Sequence, residues 1–124
     1  MFMIIFDKQR LQQILMNLVA NSVKFTPFGG NIKVTSKLIY SEEDLSITDE
    51  SFTKVMLNAN GRTFLEVQVE DTGVGIKKED QSKLFKLFGF LESSKELNSR
   101  GIGLGLNISR KISKMFDGDI ICRS

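Results

Sequence analysis

Between Phe64 and Asp71 the chain reads FLEVQVED, and Leu65, Val67 and Val69 alternate strictly with Glu66, Gln68 and Glu70. Alternation of this kind marks a half-buried strand. Just upstream, FTKVMLN is a second candidate strand, and Asn60-Gly61 between the two is a tight-turn signal, so residues 52–71 read as a β-hairpin. A hairpin is marginal alone and must cover its apolar face with another layer.

The segment LQQILMNLVANSVKFT, residues 11–26, offers that layer. Leu11, Ile14, Leu15 and Leu18 recur at helical spacing, Asp7 stands where an N-cap would, and Pro27 with Gly29 and Gly30 supplies a stop. At about 100° per residue, Asn17, Asn21 and Lys24 fall within a sector of roughly 60°, with Gln13 beside them. A surface helix normally carries a broad charged face. This polar stripe is thin and bordered by apolar residues on both sides, with Met16, Ala20 and Val23 on the second, as the lining of a cavity would be.

The remaining elements follow in order. MFMIIF reads as the end of a buried strand, and NIKVTSKLIY as a strand with an irregularity between Val34 and Leu38. SEEDLSITDES is a polar loop, KKEDQSKLFKLFGF one short helix and LESSKELNSR a second loop. GIGLGL opens a last helix, in which Ile108, Ile112 and Met115 share a face, and GDIICRS is a final strand. Segregated helices and strands predict an α+β two-layer sandwich: a mixed, largely antiparallel sheet with helices on one face.

Bulk properties narrow the classes. A chain of 124 residues suits one domain, and a net charge of +2 gives no basis for a nucleic-acid groove or a membrane surface. The single cysteine, Cys122, excludes an internal disulfide framework and fits a reducing compartment. No apolar run reaches the ~20 residues of a membrane-spanning helix. There is no histidine.

Three features could carry chemistry. The amide oxygens of Asn17 and Asn21 are hard ligands suited to Mg²⁺, and Lys24 could meet a phosphate; equally, the asparagines could make only local hydrogen bonds. Asp71 ends a strand and is followed by TGVG; an ionised carboxylate there accepts hydrogen bonds, as from an exocyclic base amine, and Gly73 and Gly75 would admit a flat base. A plain glycine turn is the alternative. Gly101, Gly103 and Gly105 precede a helix, where free N–H groups and the helix dipole favour an anion, although a docking linker would read the same way. The run is neither a P-loop nor a dinucleotide fingerprint, since no G-K-[ST] follows and Leu106 takes the last glycine position. Phe85 and Phe88 fit core packing best.

Together these residues resemble the ATP-binding catalytic domain of sensor histidine kinases, within the group that also holds gyrase, chaperone and mismatch-repair ATPases. DKQRLQQILMNLVANSVKFTPFGG resembles the N box, DTGVGI the G1 box, LFKLFGF the F box and GIGLGL the G2 box, in family order across nearly the whole chain. The resemblance implies a Bergerat-type fold and the cofactors ATP and Mg²⁺. It implies Asn21 as main metal ligand with Asn17 assisting, Lys24 toward the phosphates and Phe25 beside the nucleotide. Asp71 would accept from the adenine amine, with Gly73, Gly75 and Ile76 shaping the base pocket. Gly101, Gly103, Leu104 and Gly105 would form the lid hinge, and Arg100 would assist. Asn17 also stands where the ATP-hydrolysing branch carries a glutamate base, and an amide is no general base near neutral pH.

The implied partners are a histidine-bearing dimerisation domain and then a response-regulator receiver domain, in a homodimeric parent. The domain itself would be cytoplasmic, without direct membrane contact, in a parent that is membrane-anchored or soluble. Residues 1–124 would then be the catalytic domain alone, stopping short of a further family strand and lacking the upstream phosphoacceptor. Ile102 in place of a hydroxyl residue, and Phe116-Asp117-Gly118 in place of histidine-glycine-glycine, depart from the family pattern. Two other readings stand: a degenerate nucleotide-binding interaction module, and a serine or dehydrogenase-type kinase of the same group.

Overall fold

The computed structural model describes residues 6–40, 52–58, 63–86 and 104–124. Helix α1 (Lys8–Phe25) is followed by strands β1 (Ile32–Ile39), β2 (Phe52–Asn58) and β3 (Phe64–Asp71), then α2 (Lys78–Gln81), α3 (Gly105–Met115) and β4 (Asp119–Arg123). The expected opening strand, the hairpin turn at Asn60-Gly61, both polar loops and Phe88 lie outside the described residues.

Helix α1 forms as its sequence predicts. Asp7 Oδ1 accepts from the backbone N–H groups of Gln9 and Arg10 at 3.0 and 3.1 Å, satisfying two of the donors that a helix start leaves unpaired. At the other end Pro27 disfavours helical geometry in the residue before it, and Thr26 is extended at φ −94°, ψ 119°.

The strands pair in the order β1-β3-β2-β4, and every described pairing is antiparallel rather than mixed. Val34, Val69, Thr53 and Cys122 share one row across the sheet, and Ser36, Val67, Val55 and Ile120 the next. Val55, Val67, Val69 and Ile120 from these rows join Ile14, Leu18, Leu57 and Ile112 in the core between sheet and helices. The architecture is therefore the expected α+β two-layer sandwich.

Three local expectations are corrected. Strand β1 pairs with β3 without interruption from Ile32↔Asp71 to Ile39↔Phe64, so no irregularity separates Val34 from Leu38. The short helix is only Lys78–Gln81, continued by turns through Phe85. Met115 is 72% exposed, and the inward face of α3 is built from Ser109, Ile112 and Ser113. The hydroxyls are satisfied at close quarters: Ser113 Oγ donates to Ser109 O at 2.8 Å.

The face of the sheet away from the helices is polar but not wholly wet. Glu66 and Lys54 are both buried there and pair at 3.3 Å, and Lys37 approaches the same carboxylate at 3.4 Å. Pairing offsets the desolvation that either charge would suffer alone.

A second charge cluster ties α3 to β4. Arg110 Nε donates to Asp119 Oδ1 and Lys114 Nζ to Asp119 Oδ2, both at 2.9 Å, while the Arg110 guanidinium lies 4.8 Å from the Phe85 ring centroid. Burial alone would push the Asp119 carboxyl up, but hydrogen bonds from Arg110, Lys114 and the Ile120 N–H bring it down to about 2 from 3.8. A lowered carboxyl stabilises the fold above its unfolded value and loses that contribution as pH falls through the folded one. Because the side chain is 36% exposed, solvent screening holds the gain to about 1 kcal/mol. Asp119→Asn is thus expected to lower stability modestly at pH 7, with the difference from wild type largely gone at pH 2. Urea unfolding of both proteins at the two pH values checks it, and an equal difference at both would contradict it.

Candidate functional site

The second half of α1, the end of β3, the start of α3 and the last residues of β4 enclose a cleft of about 720 Å³, counting its open mouth. Leu18, Phe52, Leu84 and Leu106 supply apolar walls, and Asn21, Ser22, Thr53 and Asp71 supply polar groups.

Asp71 is held from both sides. Its Oδ2 accepts from Ser22 Oγ and its Oδ1 from the Gly73 N–H, each at 2.9 Å. Register explains its direction: Asp71 follows Val69 by two along β3, so it shares the helix-facing side of the sheet with the core valines. The turn beyond it is seated on α1, where Val74 N–H donates to Phe25 O at 3.2 Å. Gly73 is required by that seating, because a Cβ there would stand 2.7 Å from both Phe25 O and Asp71 Oδ1. The same turn then passes through a positive φ of 72° at Gly75.

The opposite wall carries a thiol. Thr53 Oγ1 donates to Cys122 Sγ at 3.4 Å across β2 and β4. Burial pushes the Cys122 thiol up, and the Asp71 charge pushes the same way, so the sulfur faces the cleft as a thiol near neutral pH.

Of the residues singled out in the sequence, the cleft gathers Asn21, Phe25, Asp71, Gly75 and Ile76, with Gly73 immediately behind Asp71. Lys24 is adjacent without lining it, and its Nζ lies 5.1 Å from the Phe25 ring centroid. Leu104 is the N-cap residue of α3 and Gly105 its first residue. Arg100, Gly101 and Gly103 lie outside the described residues. The polar stripe borders solvent on one side, since Met16 and Val23 are each 62% exposed, so only one wall is apolar core. Asn17 does not line the cleft. Its Nδ2 donates to Gly105 O at 3.2 Å and to Ser109 Oγ at 2.9 Å.

Ser22 was the residue that pattern reading missed. Its signal was present: it continues the Ile14–Leu18 row by one helical turn, a hydroxyl on an otherwise apolar face. Thr53 and Cys122 carried no comparable signal, because they meet only through the pairing of β2 with β4.

Among the described residues no group of three or more acidic, cysteine or histidine side chains could hold a metal. Asn21 fits Mg²⁺ by another route, as one protein oxygen in a shell completed by water and phosphate. No described helix is long and apolar enough to cross a membrane.

A family model described as "Histidine kinase-, DNA gyrase B-, and HSP90-like ATPase" matches residues 6–124. The chain is 38% identical over 117 residues to the signal transduction histidine-protein kinase BarA of Escherichia coli (strain K12), covering 94% of this chain and 11% of that one. It is 36% identical over 118 residues to hybrid signal transduction histidine kinase B of Dictyostelium discoideum, covering 95% and 5%. It is 34% identical over 117 residues to histidine protein kinase 1 of Candida albicans, covering 94% and 4%. The chain thus spans about a tenth or less of these relatives. No solved structure matches it.

Proposed function

Because the chain belongs to the histidine kinase-, DNA gyrase B- and HSP90-like ATPase family, we propose that it binds Mg-ATP in this cleft and holds the γ-phosphoryl group for transfer to a histidine. That histidine belongs to a dimerisation domain, upstream or on a separate chain, since these 124 residues contain none. A response-regulator receiver domain is the next acceptor. The observation that carries the reading is the fixed Asp71 carboxylate at the wall of a cleft that also contains Asn21.

Asp71 accepts from the adenine amine, an ionised carboxylate being purely an acceptor. Ile76, Val74 and Phe25 border the base, and Leu106 closes it from the α3 side. The first-turn N–H groups of α3 and the helix dipole favour the phosphates, and Lys24 adds a positive charge one turn from Asn21. Mg²⁺, when bound, neutralises charge on the phosphate oxygens, and Asn21 is the residue that would hold it. Asn17, in the position of the hydrolysing branch's glutamate, is an amide tied to α3 and no base for water. The chain therefore positions ATP for an external nucleophile, and positioning with charge stabilisation is most of what phosphoryl transfer requires.

Calorimetric titration with a non-hydrolysable ATP analogue, with and without Mg²⁺, tests this. Wild type should bind more tightly with Mg²⁺. Asn21→Ala should lose that advantage, a drop of roughly tenfold, and keep its Mg²⁺-free affinity. A folded chain that takes up no nucleotide would sink the reading.

A further inference from the structure

We propose that Asn17 is a positioning residue that pins the first turn of α3 to α1, thereby setting the Leu106 wall of the cleft. Asn17 is the residue that the family resemblance makes an assisting Mg²⁺ ligand, and the geometry gives it a second task, a tie to α3 through its NH₂ group.

The orientation of its amide is fixed by chemistry. Gly105 O can only accept, so the Asn17 atom 3.2 Å away is the NH₂ group. The same NH₂ donates at 2.9 Å to the hydroxyl of Ser109, which is fully buried. Turning the amide over would set two acceptors against each other at Gly105. The amide as a whole lies beside the start of α3: a Cβ added at Gly105 would come within 3.6 Å of Asn17 Cγ and Oδ1. Asn21, one turn further along α1, lines the cleft and Asn17 does not.

The first turn of α3 depends on such ties. Leu104 caps it without a side-chain hydrogen bond. Asn107 Nδ2 reaches Phe85 O at 2.6 Å on one side, and Asn17 holds Gly105 and Ser109 on the other. Leu106, between the two attachments, lines the cleft. Only the contents of the cleft rest on the nucleotide reading; the tie itself does not.

Asn17→Asp separates the roles. A carboxylate is at least as good a ligand for Mg²⁺ as an amide, but it cannot donate to Gly105 O. The nucleotide-free variant is expected to melt several degrees below wild type. Its affinity for a non-hydrolysable ATP analogue should fall by a similar factor with and without Mg²⁺. An unchanged melting temperature together with Mg²⁺-dependent tightening would overturn the proposal. Ser109→Ala removes the other end of the tie without altering any residue of the cleft, and keeps the test decisive if Asn17→Asp does not fold. It should weaken nucleotide binding while leaving the Mg²⁺ advantage intact; unchanged affinity would count against the proposal. Melting temperatures of Asn17→Ala, Ser109→Ala and the double variant complete a cycle. The double loss should be smaller than the sum, and strict additivity would refute the coupling. If wild type binds no nucleotide, the nucleotide reading fails, while this cycle on the free chain still decides the tie.

Discussion

Gly118→Ala should destabilise the fold by more than about 4 kcal/mol, enough to leave much of the chain unfolded. Gly118 joins α3 to β4, and its N–H donates to Ser113 O at 3.0 Å to close the helix. A Cβ there would overlap the carbonyl oxygen of Met56, and would also come within 2.8 Å of Met56 C and 3.1 Å of Leu57 Cα. All three are backbone atoms of β2, a strand bonded on both sides. They have no rotamer through which to yield. Relief requires β4 to leave β2, giving up the pairs from Met56↔Asp119 to Phe52↔Arg123 and exposing Ile120. Urea unfolding of the variant measures the effect, and a wild-type midpoint would show that β4 has another way to seat. Cys122, Arg123 and Ser124 line the cleft, so ligand uptake should disappear with the strand.

Asp71→Asn is expected to leave the fold nearly intact and to weaken ATP binding about 100-fold, the scale of losing a charge-assisted hydrogen bond. Asn is nearly the same shape. Its one oxygen can still accept from the Gly73 N–H, and its NH₂ can face Ser22, whose hydroxyl is free to turn and accept. What changes is the side presented to the base, where a donor now meets the adenine amine. Calorimetry of a variant with a wild-type melting curve isolates this effect. Unaltered affinity would mean that the base is recognised elsewhere.

Local chemistry was readable wherever one segment alone decided it. Asp7 caps α1, Pro27 ends it, and Leu65, Val67 and Val69 turn inward together as their alternation requires. Asp71 stands out in sequence because the change from strand to glycine turn is itself local. Features set by packing were not readable. Met115 has helical spacing to Ile112 and Ile108 yet faces solvent, because the buried face of α3 runs through Ser109, Ile112 and Ser113. Ile32 and Val34 keep the strand pattern but stay largely exposed, because β1 is the outermost strand of the described sheet. Glu66 alternates with the inward valines of β3, yet the structure buries it on the other face as a pair with Lys54. Asn17 and Asn21 look equivalent one turn apart, and only the position of α3 separates a tie between helices from a lining of the cleft.

The turn after β3 has a consequence for timing. Ser22 to Asp71 and Phe25 to Val74 link the end of α1 to that turn, and Asn31 to Thr72 ties the turn to the residue before β1. The proposed base acceptor and the proposed metal residue thus sit on one stitched piece of backbone, where neither can shift without the other. Ordering them is an entropic loss taken when the chain folds and not when the ligand arrives. Affinity at this end of the cleft should then change little with the mobility of distant loops. Encounter with nucleotide would resemble docking onto a finished surface more than the gathering of scattered groups.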